Sequence, residues 1–139
     1  MRSPGRLALV VAFVVSLALA AAPARAGEPP APGAAGIGDR LFPGLGNGGY
    51  HVLHYHLDLR YATSDPAQSI DGTARIVARA TQSLSRFNLD FSGDSVGAVR
   101  VNGRSADWTR AGEELVVTPR RPLRKGHVFV VKVSNFVST

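Results

Sequence analysis

The stretch that decides the fold is Tyr50–Tyr61, which reads YHVLHYHLDLRY. After residue 52, leucine and tyrosine occupy the odd positions, whereas histidine, aspartate and arginine occupy the even ones. Successive side chains of a strand point to opposite faces, so this period of two predicts a long, half-buried β-strand. His51 is predicted to share the apolar face. The predicted polar face carries Val52, His54, His56, Asp58 and Arg60.

Six further stretches of this kind follow, each bounded by turn residues. The predicted strands are Ile70–Thr81, Leu84–Phe91, Val96–Val101, Ala106–Thr109, Glu114–Thr118 and His127–Asn135. Asn102-Gly103 is the strongest short hairpin signal, because both residue types tolerate the positive φ angles of a tight primed turn. We expect the hairpin partner to run through Ala106–Thr109. Seven short strands and no helix predict an all-β fold, an antiparallel β-sandwich or an open saddle-shaped sheet.

The first 26 residues have the order of a secretory signal peptide. Arg2 and Arg6 form a short basic region, residues 7–22 are an uninterrupted apolar run, and Ala24–Ala26 supplies the small residues of a cleavage site. The apolar run is short for a hydrocarbon core about 30 Å thick. We therefore expect cleavage after Ala26, secretion to the extracellular side, and no stable membrane anchor after cleavage.

The predicted organisation of the chain has three parts. Residues 1–26 are the signal peptide, residues 27–49 are an arm rich in Gly, Pro and Ala, and residues 50–139 are the β domain. The chain has no cysteine. An exported domain without disulfides has to rely on its own apolar core or on contact with a partner.

The charge of the chain gives little reason to expect a nucleic-acid partner. The sequence has 16 Lys and Arg against 10 Asp and Glu. Cleavage after Ala26 removes three of the basic residues, which leaves the mature chain near +3. The densest basic cluster is Arg120, Arg121, Arg124 and Lys125 around Pro122, and we interpret it as a solvated turn rather than a phosphate or membrane patch.

A metal site is the first chemical possibility that the residues raise. His54, His56 and Asp58 are spaced by two on the first strand, which places all three on one face, and imidazole and carboxylate groups can bind zinc or copper. The competing interpretation is an ordinary polar strand face, because a metal site usually needs a ligand from elsewhere. His51 is predicted on the other face, and His127 is the one remaining histidine. We favour the polar face.

Catalytic machinery is the second possibility, and the sequence offers no sign of it. There is no H-E-x-x-H pattern, no G-x-S-x-G elbow, no thiol and no phosphate-binding loop. The aspartates that could pair as acid and base look instead like turn and strand-end residues; they are Asp58, Asp71, Asp90, Asp94 and Asp107. We therefore assign no catalytic, cofactor-binding or metal-binding residue, and we expect no enzymatic activity from this chain alone.

Several short sequence motifs resemble those of the N-terminal β domain of zinc aminopeptidases of the aminopeptidase N type, which are gluzincin metallopeptidases. The resemblance covers nearly all of residues 45–133 and lies in the order and spacing of the motifs. The motifs are LGNGGY at 45–50, HYHLDL at 54–59, DGTA at 71–74, LSRFNLD at 84–90, VRVNG at 99–103, and ELVV at 114–117 with Pro119, Leu123, Gly126 and Phe129. His56 departs from the acidic residue that the family prefers, and residues 135–139 depart from the family's continuation.

The resemblance implies a scaffold role for this chain. In the family this domain packs against a catalytic domain that binds zinc through the H-E-x-x-H helix, and none of those residues can be carried onto this sequence. We expect a non-catalytic fragment, with a domain incomplete at its C-terminal end, no cofactor of its own, and a catalytic domain as the missing partner. The alternative is a free-standing exported β-sandwich that binds a protein or peptide.

Overall fold

The computed structural model describes residues 28–41, 46–61, 64 and 69–139, and within these residues it shows nine β-strands and no helix. The predicted all-β fold is therefore confirmed. Among the same residues, no helix is long and apolar enough to cross a bilayer. The predicted signal peptide lies outside the described residues. The strands are β1 (Ala31–Pro32), β2 (Tyr50–Tyr61), β3 (Ile70–Ala80), β4 (Leu84–Asp90), β5 (Ala98–Val101), β6 (Arg104–Ser105), β7 (Asp107–Ala111), β8 (Glu114–Thr118) and β9 (Val128–Ser138).

Two sheets face each other. The large sheet has the strand order β2-β3-β9-β5-β6 and is antiparallel throughout. The small sheet has the order β1-β4-β8-β7, in which the short strand β1 pairs parallel to β4 and the other pairs are antiparallel. The described part of the arm thus adds one short strand to the small sheet. The described residues form the predicted sandwich.

The core lies between the two sheets and is closed by aromatic rings. Phe87 of the small sheet meets Phe129 of the large sheet with ring centroids 5.4 Å apart, and Tyr50 meets both rings edge-on at 5.8 and 6.1 Å. The buried apolar side chains are Ile76, Ala78, Ala80, Leu84, Phe87, Leu89, Val96, Val99, Val101, Ala106, Leu115, Val117, Leu123, Phe129, Val131 and Val133. Burial of these apolar side chains is the main interaction between the two sheets.

A β-bulge at Leu53 changes which residues of β2 face the core. Val52 pairs with Ala78, and His54 pairs with the next residue along β3, so Leu53 is the extra residue of the bulge. Val52 therefore packs against the core, and its predicted position on the polar face was wrong. The bulge also places His51 on the same face as His54, because their partners Arg79 and Val77 share one face of β3.

The hairpin at Asn102-Gly103 forms as predicted, with φ angles of 50° and 77° at the two turn residues. Its partner strand is the two-residue β6 rather than the predicted Ala106–Thr109. The chain leaves the large sheet at Ala106, which is buried, and continues as β7 in the small sheet. A period of two in the sequence cannot distinguish one strand from two short strands that change sheet, which explains the error.

Candidate docking surface

The large sheet carries an uncovered group of apolar side chains at the end of β2 that lies beyond the bulge. These side chains lie on the face of the large sheet that packs against the core, because their partners on β3 are on the same face of that strand as the buried Ile76 and Ala78. We call this group the apolar face; its members are Tyr55, Leu57, Leu59, Tyr61 and Ile70. The four residues on β2 keep between 49% and 56% of their surface accessible. The sequence predicted this strand to be half-buried, but in the described structure both of its faces beyond the bulge are exposed.

The apolar face is open because the small sheet covers only one end of the large sheet. At the covered end, Tyr50 and Val52 pack against the core. At the open end, the residues opposite Leu57 and Leu59 are the small Ala74 and Gly72. A Cβ placed on Gly72 would collide with the side chain of Leu59, so Leu59 lies directly against the backbone of β3. The result is a low, broad apolar surface rather than a pocket.

The free edge of β2 borders this surface. Within the described residues, β2 is the outermost strand of the large sheet and pairs only with β3. It has 12 residues, no proline, and one bulge near its start. Long edge strands of this kind present unpaired backbone N–H and C=O groups that can accept another strand. The open face and the open edge therefore lie at the same end of β2.

The three residues that the sequence analysis weighed as metal ligands lie on the other face of the same strand. His54, His56 and Asp58 are all exposed, with Val77, Arg75 and Thr73 opposite them on β3. No group of three or more His, Asp or Glu residues that could hold a metal ion occurs among the described residues. Arg75 is the direct cross-strand partner of His56, and a cationic side chain at that position disfavours a bound metal.

The aspartates named as possible acid and base residues are used separately. Asp71 forms an ion pair with Arg60 at 2.8 Å, Asp90 accepts a hydrogen bond from Asn47 at 2.9 Å, and Asp94 accepts one from the Thr139 hydroxyl at 3.0 Å. Asp58 and Asp107 lie within strands opposite Thr73 and Thr118. None of these contacts joins two of the five aspartates.

A carboxylate pair that the sequence analysis missed lies at the end of β4. Asp90 stands directly opposite Glu114 of β8. Burial of Glu114, followed by the negative charge of Asp90, raises the pKa of its carboxyl group, and a hydrogen bond with Asn47 partly offsets the rise. Burial likewise raises the pKa of Tyr50, whose hydroxyl donates to the Asn88 carbonyl oxygen at 2.7 Å. The two carboxylates line neither of the clefts described below, so we interpret them as part of the contact between the arm and the small sheet.

The basic turn borders a wide, shallow cleft. Arg121, Arg124, Lys125 and His127 line a cleft of about 990 Å³, and Arg104 and Arg120 line a smaller neighbour of about 160 Å³. The basic side chains of the turn are exposed. No carboxylate forms an ion pair with them among the described residues. The basic turn is thus exposed to solvent, and its interpretation as a solvated turn stays a prediction.

Comparison with known proteins places this architecture among metallopeptidases. The M1 zinc metallopeptidase from Deinococcus radiodurans is 33% identical, with a TM-score of 0.65, over 75% of this chain and 23% of that chain. A two-domain M1 zinc metallopeptidase bound to L-arginine gives the same identity and TM-score over 75% of this chain and 24% of that chain. Leukotriene A4 hydrolase from Saccharomyces cerevisiae, at 22% identity and a TM-score of 0.52, shares the fold. The chain matches no protein-family model and no curated protein.

The resemblance to zinc aminopeptidases that the sequence predicted is confirmed. The match covers three quarters of this chain, whereas the chain spans about a quarter of the length of the metallopeptidases that it matches. It corresponds to a domain of those proteins rather than to their whole length.

Proposed function

We propose that this chain is the non-catalytic N-terminal scaffold domain of a secreted zinc metallo-aminopeptidase, and that its apolar face packs against the catalytic domain. The observation that carries the proposal is the match to M1 zinc metallopeptidases at 33% identity over 75% of the chain. Secretion rests on the basic, apolar and small-residue order of residues 1–26.

The size of the apolar face supports a docking role. Aromatic side chains bury about 150–250 Å² each, and the residues of the apolar face keep roughly half of their surface accessible. The uncovered apolar area is therefore on the order of 500 Å², within the range of the largest patch on a typical monomer, and such patches are often functional. Covering it stabilises a complex by about 12 kcal/mol before the entropy of association is subtracted. The size of the patch is thus consistent with docking but does not by itself require a partner.

Zinc is the cofactor named for the related structures, and the described residues of this chain do not fit it. No cluster of three possible ligands occurs among them, and the two histidines nearest to such a cluster lie on an exposed strand beside Arg75. In this proposal the metal and the peptide chemistry both belong to the catalytic domain. The chain described here contributes a surface, a fold and no reacting group.

The free edge of β2 favours a second candidate, a free-standing exported module that binds a peptide. An extended peptide could add a strand beside β2 and place alternate side chains on the apolar face. The two candidates differ in the partner they require: a catalytic domain with H-E-x-x-H in the first, and a short extended segment in the second.

The test of the proposal is the coding sequence beyond codon 139. The proposal expects a continuation in the same reading frame that encodes H-E-x-x-H at a distance set by the length of the related metallopeptidases. A coding region that ends without such a motif within that length contradicts the scaffold role and favours the peptide-binding module. Sequencing the N-terminus of the secreted protein tests the export step, because cleavage after Ala26 leaves Gly27 as the first residue.

A further inference from the structure

The outer face of the large sheet, which is the face opposite the core, carries a line of basic side chains across four strands. His56 of β2 pairs with Arg75 of β3, Arg75 pairs with Lys132 of β9, and Lys132 pairs with Arg100 of β5. We call these four residues the cationic row, after the charges of Arg75, Lys132 and Arg100. All four are exposed. Because neighbouring strands lie about 4.8 Å apart, the row spans about 14 Å.

The cationic row is unfavourable for the sheet itself. Like charges directly opposite each other on neighbouring strands destabilise a sheet, and Lys132 has a guanidinium group opposite it on both sides. No acidic side chain relieves this repulsion: the ion pair found among the described residues joins Arg60 to Asp71. Arg100 is engaged by its own hairpin alone, where it donates to the Gly103 carbonyl oxygen at 3.3 Å. An anionic partner would remove the repulsion.

The surroundings of the row indicate the shape of that partner. His51 and Arg79 form a second basic pair on the same face, whereas Asp58 and the ion pair of Arg60 with Asp71 lie beyond the row toward the far end of β2. A flat anionic bilayer would press the Asp58 carboxylate against its own charges. A single small anion would be held by exposed side chains in water, where such contacts contribute little. A linear polymer can follow the row and avoid the carboxylates.

We propose that the cationic row binds a linear polyanion that carries phosphate groups, which lies across β2, β3, β9 and β5. This site is separate from the apolar face, because the two lie on opposite faces of the large sheet. A partner domain on one face therefore leaves the other free to bind the polymer. The proposal does not depend on the scaffold role.

The test is a titration of the protein with inorganic polyphosphate, followed by calorimetry at several salt concentrations. The full chain is expressed in a secreting host and used in the processed form that the host produces. The triple variant Arg75→Gln, Lys132→Gln and Arg100→Gln is compared with the wild type. The affinity of the triple variant for polyphosphate should be at least about tenfold lower than that of the wild type. The slope of log affinity against log salt should fall in magnitude by roughly two.

The matched control removes three charges from the basic turn instead, with Arg120→Gln, Arg121→Gln and Arg124→Gln. The proposal expects this control to bind polyphosphate within about twofold of the wild type. Equal losses in both triple variants would show that net charge alone drives binding and would overturn the proposal. Phosphatidylglycerol vesicles that bind more tightly than polyphosphate would overturn it as well, because the ligand would then be a membrane surface.

A single substitution gives an independent readout. Lys132→Glu places a carboxylate between Arg75 and Arg100, so the melting temperature should rise while the affinity for polyphosphate falls. A purely structural residue would not change stability and binding in opposite directions. A lower melting temperature for Lys132→Glu would contradict the like-charge repulsion on which the proposal rests, and an unchanged affinity would contradict the site.

Discussion

Replacing Leu57 with alanine tests whether the apolar face is exposed, because a Leu→Ala substitution should lower the free energy of unfolding less there than in the core. Leu57 keeps 54% of its surface accessible, whereas Leu115 keeps 1%. Full burial of a leucine stabilises a protein by about 1.5–3 kcal/mol, so the buried half of Leu57 contributes about 1 kcal/mol. Leu115→Ala leaves a cavity and removes the whole contribution, which costs about 2–5 kcal/mol.

The assay is urea unfolding of the purified chain, followed by fluorescence of Trp108. This residue is the only tryptophan of the sequence, lies on β7, and packs against the core. Leu57→Ala should lower the free energy of unfolding by no more than about 1 kcal/mol, and Leu115→Ala by at least twice as much. Leu57→Ala should also reduce binding of the dye ANS, which reports exposed apolar surface.

The refuting result is an equal loss of stability in the two variants. It would mean that the apolar face is already covered in the isolated chain, by self-association or by another part of the polypeptide. The matched control is His56→Ala, which changes the opposite face of the same strand and should leave ANS binding unchanged.

Three further predictions follow from local features of the structure. Because the pKa of Glu114 is raised, the folded state binds the proton of this carboxyl group more tightly than the unfolded state does. The stability that protonation adds is therefore lost as the pH rises through the folded pKa. Glu114→Gln, which also removes the repulsion from Asp90, should raise the melting temperature at pH 7, and this gain should vanish below pH 4.5, the ordinary pKa of the group; an equal gain at all pH values contradicts the prediction. Gly72→Ala should destabilise the chain by about 1–3 kcal/mol in urea unfolding, because its Cβ meets Leu59 and the backbone of β2, and a neutral effect would show that β2 moves freely. Asn102→Ala should cost about 1–2 kcal/mol in the same assay, because the residue has a φ of 50° and its side chain accepts a backbone hydrogen bond from β9 at 2.9 Å, and Asn102→Gly should recover part of that loss.

The local pattern of the sequence predicted most of the strands and the main hairpin. Tyr50–Tyr61 forms a strand with the predicted bounds, and Asn102-Gly103 forms the predicted turn. Those features depend on residues that are neighbours in sequence. The final strand extends to Ser138 rather than Asn135, because the chain passes a bulge beside Phe136 and continues to pair with β3.

The candidate surfaces could be predicted only in part, because they depend on which strands lie side by side. The alternation of Leu57 and Leu59 with polar residues was visible, but no local pattern shows that the small sheet stops short of them. The cationic row requires the register of β3, β9 and β5 together, and the pair of Asp90 and Glu114 requires the register of β4 and β8. The Leu53 bulge moved Val52 to the core without any glycine to mark it.

The most direct test of the scaffold role is to identify the polypeptide to which the β domain belongs in the native protein. Antibodies against the β domain would be used to capture the protein from both the cells and the culture medium of the organism that produces it, and mass spectrometry would identify every captured peptide. The scaffold role predicts peptides of a catalytic domain that contains H-E-x-x-H in the same polypeptide, with zinc-dependent aminopeptidase activity in the captured material. A captured protein that consists of the β domain alone, with no metallopeptidase peptide and no such activity, would contradict it.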